Sequence, residues 1–253
     1  MALLEAKNLS VHFGGLAAVR SVTFGVEPGE RLALIGPNGA GKTTLFNLLT
    51  GQLKPSGGKV FFKGQDITDV SVFARTHLGM SRSFQVTSLF PYQSVLVNAM
   101  IGLQGTEKSR YRFFRPLFKD RELAAAAQDL LESAEIWELK DEIVSSLAYG
   151  QQRKLEIALS LASRPDLLLL DEPSCGLTTV ESADITKRIQ ALGSKITVLM
   201  IAHDMDLVFG VAERVILLHY GEIACEGTCD EIRSNEMVRE IYMGSRKQLG
   251  AGR

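Results

Sequence analysis

Cysteine is scarce in this chain, and the cysteines present form no recognisable pattern. The sequence has three, Cys175, Cys225 and Cys229, an odd number without the spacing of a metal site or a disulfide framework. Nothing at the amino terminus has the features of a signal peptide. We therefore expect a protein of a reducing cytoplasm.

Long apolar runs and an excess of one charge are also missing. The longest apolar stretches, such as residues 167–170 and 198–202, have the length of a strand, whereas a helix across a bilayer needs about 20 residues. With 28 basic and 29 acidic residues the net charge is -1, so the composition gives no footprint for nonspecific nucleic-acid binding. Any work at a membrane therefore requires a partner that anchors the chain.

One stretch organises the rest of the sequence, because it fits the phosphate-binding pattern G-x-x-x-x-G-K-[ST]. A short strand is predicted over residues 31–35 before it, and a helix over 43–50 after it. Glycines let successive N–H groups curl around an anion, and the helix start adds the positive end of its dipole. Lys42 should reach the β- and γ-phosphates, and the Thr43 hydroxyl should ligate Mg²⁺. The predicted nucleotide-binding residues here are Gly36, Pro37, Asn38, Gly39, Ala40, Gly41, Lys42, Thr43 and Thr44.

Two acidic residues end an apolar run later in the chain. Residues 167–170 are predicted to form a buried strand, and Asp171 and Glu172 follow it directly. In a phosphate-loop protein the first acid is placed to hold Mg²⁺, directly or through water, and the second to orient the attacking water. The alternative is a solvated charge pair at a strand end. The phosphate loop in the same chain favours the catalytic interpretation.

Three other side chains carry weaker signals when each is taken alone. Phe13 ends the first predicted strand, where an aromatic ring could stack on a base or belong to the core. Gln85 follows a predicted strand, although most glutamines are solvated surface residues. His203 leaves the carboxyl end of a predicted core strand, where open α/β sheets bind ligands, yet a structural histidine is the commoner case.

The remaining patterns predict an antiparallel β layer and a helical stretch. Strands of alternating polarity are predicted over residues 3–13 and 17–26, and helices over 94–103 and 123–135. Between those helices, residues 108–119 combine basic and aromatic side chains. This insertion could lie on anionic lipid, dock on a partner or pack its own aromatic rings at the surface.

The order of these motifs resembles that of the ATP-binding cassette (ABC) ATPases over nearly the whole chain. The phosphate loop is followed by Gln85, a Leu-x-x-Gly-Gln-Gln loop, the strand with its two acids, and His203. Within the family the chain resembles the larger ATPase subunit of importers for branched-chain amino acids. That likeness is carried by Phe13-Gly14-Gly15-Leu16, Leu147-x-Tyr149-Gly150-Gln151-Gln152, Ala202-His203-Asp204-Met205 and Ile241-Tyr242-Met243-Gly244.

The resemblance implies an α/β fold of the P-loop NTPase class, with a RecA-like core, an antiparallel β subdomain and an inserted α-helical subdomain. Residues 1–253 would form a single ABC ATPase domain, with the core at about 1–90 and 156–244. The helical subdomain would span about 91–155, and 245–253 would be a C-terminal tail.

The resemblance also assigns roles to individual residues. Phe13 would stack on adenine, and Gln85 would sense the γ-phosphate and couple to the membrane partner. Glu172 would be the general base, and His203 the γ-phosphate switch. The cofactors would be ATP and Mg²⁺. The implied metal ligands are Thr43, Gln85 and Asp171, and the implied catalytic residues are Lys42, Gln85, Glu172 and His203.

Partners follow from the same resemblance. In this family two ATPase subunits face head to tail, so Ala148, Gly150 and Gln151 would close over nucleotide held by the other subunit. Residues 86–92 and nearby helices would dock on two integral-membrane permease subunits, which work with a substrate-binding protein. The chain would be peripheral, at the cytoplasmic face of the cell (inner) membrane, with no nucleic-acid partner.

Two positions depart from the family pattern. Ala148 replaces a serine whose hydroxyl donates to the γ-phosphate across the dimer, and Thr178 and Thr179 replace an Asp or Asn and a residue that is often Pro. Losing one donor in a charged phosphate site costs about 1.5–3 kcal/mol. We hypothesise that the chain pairs with a different ATPase, and that the site closed by Ala148 is the weaker of two. Alternatives are an ATPase for urea or short amides or for lipopolysaccharide export, and a soluble assembly ATPase.

Overall fold

A computed structural model describes residues 1–83, 89–106 and 120–242. Gln85, residues 86–88 of the predicted docking loop, the whole basic aromatic insertion 108–119 and residues 243–253 lie outside the described residues. The strands are β1 (Leu4–Phe13), β2 (Leu16–Val26), β3 (Arg31–Ile35), β4 (Gly57–Phe62), β5 (Gln65–Asp66), β6 (Met80–Arg82), β7 (Leu167–Asp171), β8 (Thr197–Ile201), β9 (Arg214–His219) and β10 (Glu222–Thr228). The helices are α1 (Lys42–Thr50), α2 (Val72–His77), α3 (Val95–Thr106), α4 (Arg121–Ser133), α5 (Tyr149–Leu161), α6 (Thr179–Ala191), α7 (Met205–Val211) and α8 (Cys229–Ser234), and residues 236–242 are also helical.

The first strands form an antiparallel sheet in the order β2-β1-β4-β5. In β1 the side chains of Leu4, Ala6, Leu9 and Val11 are buried, and those between them are more exposed. This alternation places one face of the sheet on the core and leaves the other towards solvent. The predicted antiparallel layer is therefore confirmed.

A six-stranded sheet in the order β10-β9-β3-β8-β7-β6 forms the centre of the molecule. The strands from β9 to β6 are parallel, and β10 adds an antiparallel edge. Every residue of β7 and β8 is buried, as expected for parallel strands covered on both faces. Because the carboxyl ends of parallel strands lie at the same edge of the sheet, the segments that follow β3, β7 and β8 meet at that edge. These are the segments that carry the phosphate loop, Glu172 and His203.

Helices α3, α4 and α5 pack against one another around a separate apolar cluster. Its buried members include Val95, Leu123, Leu131 and Leu155. The predicted helices over 94–103 and 123–135 are confirmed, with small shifts at their ends. No helix of the described residues is long and apolar enough to cross a membrane.

Candidate functional site

The phosphate loop joins β3 to α1 in the predicted arrangement. Gly36 and Gly41 have φ of +150° and +101°, values that disfavour other residues. A Cβ at Gly36 would collide with the carbonyl oxygen of Leu218, and one at Gly41 would lie 2.5 Å from the carbonyl oxygen of Ala18. The first turn of α1 has neither a capping side chain nor an acidic residue. Its N–H groups are therefore available to an anion.

Lys42 is held at the base of this loop. It is 7% exposed, and its Nζ donates to the carbonyl oxygens of Gly36 at 2.7 Å and Pro37 at 3.0 Å. Burial lowers the pKa of Lys42, and the negative charges of Glu172 and Asp171 act in the opposite direction. The ammonium group is thus fixed by the backbone beside two carboxylates.

A cleft of about 540 Å³ lies in front of the loop. Its volume is within the range of small-ligand sites. Phe13 and Glu172 contribute to its walls, and Phe13 is 51% exposed. The core interpretation of Phe13 is therefore wrong, while its stacking on a base stays a prediction. The cleft is lined by Phe13, Leu16, Ala17, Ala18, Arg20, Asn38, Gly39, Ala40, Gly41, Lys42, Thr43, Thr44, Glu172 and Tyr220.

Asp171 ends β7 and is 1% exposed. Its Oδ2 accepts from Nη2 of Arg82 at 2.7 Å, whereas the buried Oδ1 has no hydrogen-bond partner in the described structure. A buried acceptor without a partner is costly and calls for an explanation such as an ion. A carboxylate oxygen is a ligand that Mg²⁺ prefers. The residue thus fits a metal site.

Glu172 follows in a left-handed backbone conformation, with φ of +46°. Such a conformation costs about 1–3 kcal/mol for a residue with a side chain. The N–H of Glu172 donates to the carbonyl oxygen of Ile201 at 2.9 Å, which ties the turn to β8. His203 Nδ1 lies 3.7 Å from Glu172 Oε2. The two side chains are therefore neighbours at the carboxyl edge of the sheet.

From the sequence, His203-Asp204 is expected to cap the helix after β8, and the structure corrects this expectation. Asp204 alone caps α7, because its carboxylate accepts from the N–H groups of Asp206 and Leu207. His203 takes no part in this cap, and its side chain is 54% exposed. The histidine is therefore accessible to a ligand.

The sequence matches a known family over much of its length. Residues 19–175 match the ABC transporter family. The chain belongs to this family. It is 36% identical over 249 residues to the high-affinity branched-chain amino acid transport ATP-binding protein BraF of Pseudomonas aeruginosa, covering 96% of this chain and 98% of BraF. It is also 36% identical over 251 residues to LivG, the corresponding protein of Escherichia coli strain K12, with the same coverage.

Solved structures agree on the fold. A nucleotide-free ATP-binding cassette from an ABC transporter is 31% identical, with a TM-score of 0.85 and coverage of 96% of this chain and 99% of that one. A cassette in its ADP conformation is 32% identical, with a TM-score of 0.86 and the same coverage. A dimeric cassette bound to ADP and Pi is 25% identical, with a TM-score of 0.76 and coverage of 89% and 98%. The predicted ABC ATPase fold is therefore confirmed.

The loop that opens α5 lies apart from the cleft of its own chain. Ala148, Gly150 and Gln151 are not among the residues that line that cleft. Gln151 Oε1 accepts from the N–H of Ala148 at 3.0 Å, but Ala148 has no side-chain oxygen to cap the helix in return. This loop therefore does not contribute to the cleft that the phosphate loop of the same chain borders.

Sequence reasoning missed Tyr220. The residue is 71% exposed, has φ of +47° and lines the cleft, with its ring centroid 4.2 Å from that of His219. The pair Tyr220-Gly221 between two strands signalled a turn, but nothing in the local sequence indicated that the turn meets the phosphate loop. The N–H of Gly221 donates to the carbonyl oxygen of Ala40 at 3.0 Å and makes that connection.

Arg153 was missed as well. It is 2% exposed and donates to the carbonyl oxygens of Asp171 at 2.8 Å, Glu172 at 3.0 Å and Pro173 at 3.1 Å. The side chain therefore fixes the backbone that carries both acids. A charged residue close to the apolar stripe of α5 was the signal available in the sequence.

Proposed function

We propose that this ABC ATPase is the ATP-hydrolysing subunit of an importer for branched-chain or related amino acids, and that it powers transport through separate membrane subunits. One observation carries the proposal: the cleft brings Lys42 of the phosphate loop and Glu172 together, with Asp171 directly beside them. Phosphoryl transfer to water needs such a set, because its catalysis rests on positioning and on neutralising charge.

Each residue has a defined task in the proposed reaction. The N–H groups of Gly39, Gly41 and the first turn of α1 hold phosphate oxygens, and Lys42 adds a positive charge to the β- and γ-phosphates. Glu172 orients the attacking water towards the γ-phosphate and accepts a proton from that water. His203, next to Glu172, contacts the γ-phosphate as a switch.

The metal site is proposed on the chemistry of its donors. Mg²⁺ would neutralise charge on the phosphates during hydrolysis. The Thr43 hydroxyl at the start of α1 and the lone Oδ1 of Asp171 are suitable oxygen ligands, directly or through water. Gln85, the third proposed ligand, lies outside the described residues.

ABC ATPase subunits of importers work with membrane permeases, and we propose two permease subunits and an indirectly coupled substrate-binding protein as partners. The chain would then be peripheral at the cytoplasmic face of the cell (inner) membrane. The exposed side chains of Phe90 and Tyr92 support a docking surface there. The names of BraF and LivG favour branched-chain amino acids over urea, short amides or lipopolysaccharide as the cargo.

We also propose that the second ATPase subunit is a different protein. The position of Ala148, Gly150 and Gln151 outside the cleft supports a site completed across a dimer. Ala148 supplies no hydroxyl to the nucleotide site of the partner subunit. The nucleotide site of this chain, in contrast, has its general base, Glu172. Such an asymmetry suits a heterodimer with one weaker site.

Copurification tests the partners. The chain is tagged in its own cell, the membranes are solubilised gently, and the bound proteins are identified by mass spectrometry. We expect two integral-membrane subunits and a second, different ABC ATPase. Recovery of soluble proteins alone would favour the assembly-ATPase alternative.

The same complex tests the chemistry. Glu172→Gln should leave ATP bound and lower hydrolysis at its site by about 10²–10⁴-fold, because the base is lost while the phosphate loop is intact. Glu213→Gln, an exposed residue away from the cleft, is the matched control and should change neither quantity. Normal turnover at the Glu172→Gln site would remove the base assignment.

A further inference from the structure

A hydrogen bond connects the C-terminal helical segment to the phosphate loop. The N–H of Gly36 donates to the hydroxyl oxygen of Tyr242 at 2.9 Å. The carbonyl oxygen of the same glycine accepts from Lys42 Nζ at 2.7 Å. Gly36 therefore links Tyr242 on one side to Lys42 on the other.

The position of Tyr242 is fixed by the core. Residues 236–242 are helical, and Val238, 7% exposed, packs in the apolar cluster that also contains Ile35. Ile35 is the last residue of β3 and immediately precedes Gly36. The segment and the loop thus rest on the same packed side chains. Burial raises the pKa of Tyr242, so its hydroxyl stays protonated and neutral around pH 7.

The backbone at Gly36 is closely surrounded by its neighbours, so it has little space to move. Its φ of +150° and the closeness of the Leu218 carbonyl leave no room for a side chain. Lys42, whose ammonium group contacts the carbonyl oxygens of Gly36 and Pro37, is also the residue expected to reach phosphate oxygens. The bond from Tyr242 is therefore made to the same backbone that Lys42 contacts.

We propose that Tyr242 is a positioning residue for the phosphate loop, which keeps Gly36 in place so that the loop is preorganised for phosphates. The inference rests on the proposed nucleotide site. It goes beyond the family match, because Tyr242 lies outside residues 19–175. A preorganised loop binds more tightly, since less ordering remains to be done on binding.

Tyr242→Phe tests the proposal, because it removes the hydroxyl and keeps the ring in the core. The probes are ATP and inorganic triphosphate, titrated onto the full chain, together with hydrogen exchange at the amide of Gly36. We expect the Kd of both ligands to rise by the same factor, about two- to tenfold, since the base is not involved. The amide of Gly36 should exchange faster in the variant.

Met237→Ala is the matched control. Met237 lies in the same helical segment but is 48% exposed, so the variant leaves both the packing and the hydroxyl of Tyr242 intact, and the Kd for triphosphate and the exchange of Gly36 should stay as in the wild type. Unchanged Kd values and unchanged exchange in Tyr242→Phe would overturn the proposal. Weakened ATP binding with unchanged triphosphate binding would also overturn it. A wild-type chain that binds neither ligand would instead contradict the proposed function, and the exchange result would still decide whether Tyr242 holds Gly36.

Discussion

Arg82 and Asp171 form an ion pair inside the protein, with Nη2 2.7 Å from Oδ2 and the two side chains 9% and 1% exposed. The pair occupies one oxygen of the carboxylate and leaves Oδ1 without a partner in the described structure. Arg82 Nη1 is itself held by Asn47 Oδ1 at 2.7 Å and Gln52 Oε1 at 2.9 Å. The arginine therefore fixes the orientation of Asp171, and the remaining oxygen is the part that a metal ion or its water can use.

Asp171→Asn should lower the free energy of unfolding by about 3–5 kcal/mol, because Arg82 would stay buried without its carboxylate. It should also abolish the strengthening of ATP binding by Mg²⁺. Denaturant unfolding and ATP titration with Mg²⁺ and with a chelator measure the two effects. The control is Asp166→Asn, which breaks the half-exposed pair with Lys63 and should cost only about 0–1 kcal/mol. An Asp171→Asn chain whose ATP affinity still rises with Mg²⁺ would exclude this residue from the metal site.

Tyr220→Ala and Phe13→Ala should each raise the Kd for ATP by about two- to tenfold, because both exposed rings line the cleft and are placed to contact a base. Neither variant should alter the Kd for inorganic triphosphate, which has no base. Phe73→Ala removes a ring of similar exposure on α2, away from the cleft, and should change neither constant. If Tyr220→Ala weakens triphosphate binding equally, the residue supports the loop and does not contact the base.

Local sequence was sufficient to predict the parts of the fold that depend on local patterns. The apolar runs of β3, β7 and β8 identified strands, and the glycine spacing identified the loop. Helix α2 was not predicted from the sequence, because it has only six residues and no apolar stripe. It forms in part because the buried Arg75 donates to the carbonyl oxygens of Leu48, at 3.1 Å, and Leu49, which is a tertiary contact.

The candidate site shows the same limit. Lys42, Asp171 and Glu172 were predicted from motifs. The side chains that hold the site residues and the phosphate loop in place by hydrogen bonds come from distant parts of the chain. Arg82 lies 89 residues before Asp171, and Tyr242 lies 206 residues after Gly36. No local pattern records such pairs, since they depend on how the strands are ordered in the sheet.

The pKa of Lys42, lowered by burial from its usual 10.5, gives a prediction in pH. Phosphate binding needs the ammonium form, so affinity for triphosphate should fall as the pH rises through this lowered pKa. Between the lowered value and 10.5 the folded chain binds fewer protons than the unfolded chain, so the contribution of Lys42 to the free energy of unfolding should increase with pH.

Triphosphate affinity and the free energy of unfolding, measured at increasing pH up to 10.5, should therefore move in opposite directions above the lowered pKa. Lys42→Met should remove this part of the pH dependence of stability. Lys54→Met is the control, because Lys54 is an exposed partner of Asp69, and it should leave both profiles unchanged. An identical stability profile in the wild type and in Lys42→Met would contradict the assignment to Lys42.

Ala148 precedes α5 without a side-chain oxygen, and this defines a test in the isolated chain. Ala148→Ser should raise the free energy of unfolding by about 0.5–2 kcal/mol, because serine can accept from an N–H of the first turn. Ala148→Gly is the matched control, because glycine is also preferred to alanine at a helix N-cap but adds no hydroxyl. Chemical denaturation of the wild type and the two variants measures how much the serine hydroxyl stabilises α5, without a partner subunit.

The assembled complex separates capping from catalysis. With Glu172→Gln in this chain, the remaining turnover should come from the partner's phosphate loop, which is the site that Ala148 closes in the proposed head-to-tail arrangement. Adding Ala148→Ser should then raise the residual ATPase rate or lower the KM for ATP by about tenfold or more, because a donor to the γ-phosphate is restored. Ala148→Gly in the same background should give no rise. If serine and glycine behave alike, or if neither changes rate or affinity, the missing hydroxyl does not make that site weak, and the argument for an unequal pair of ATPases fails.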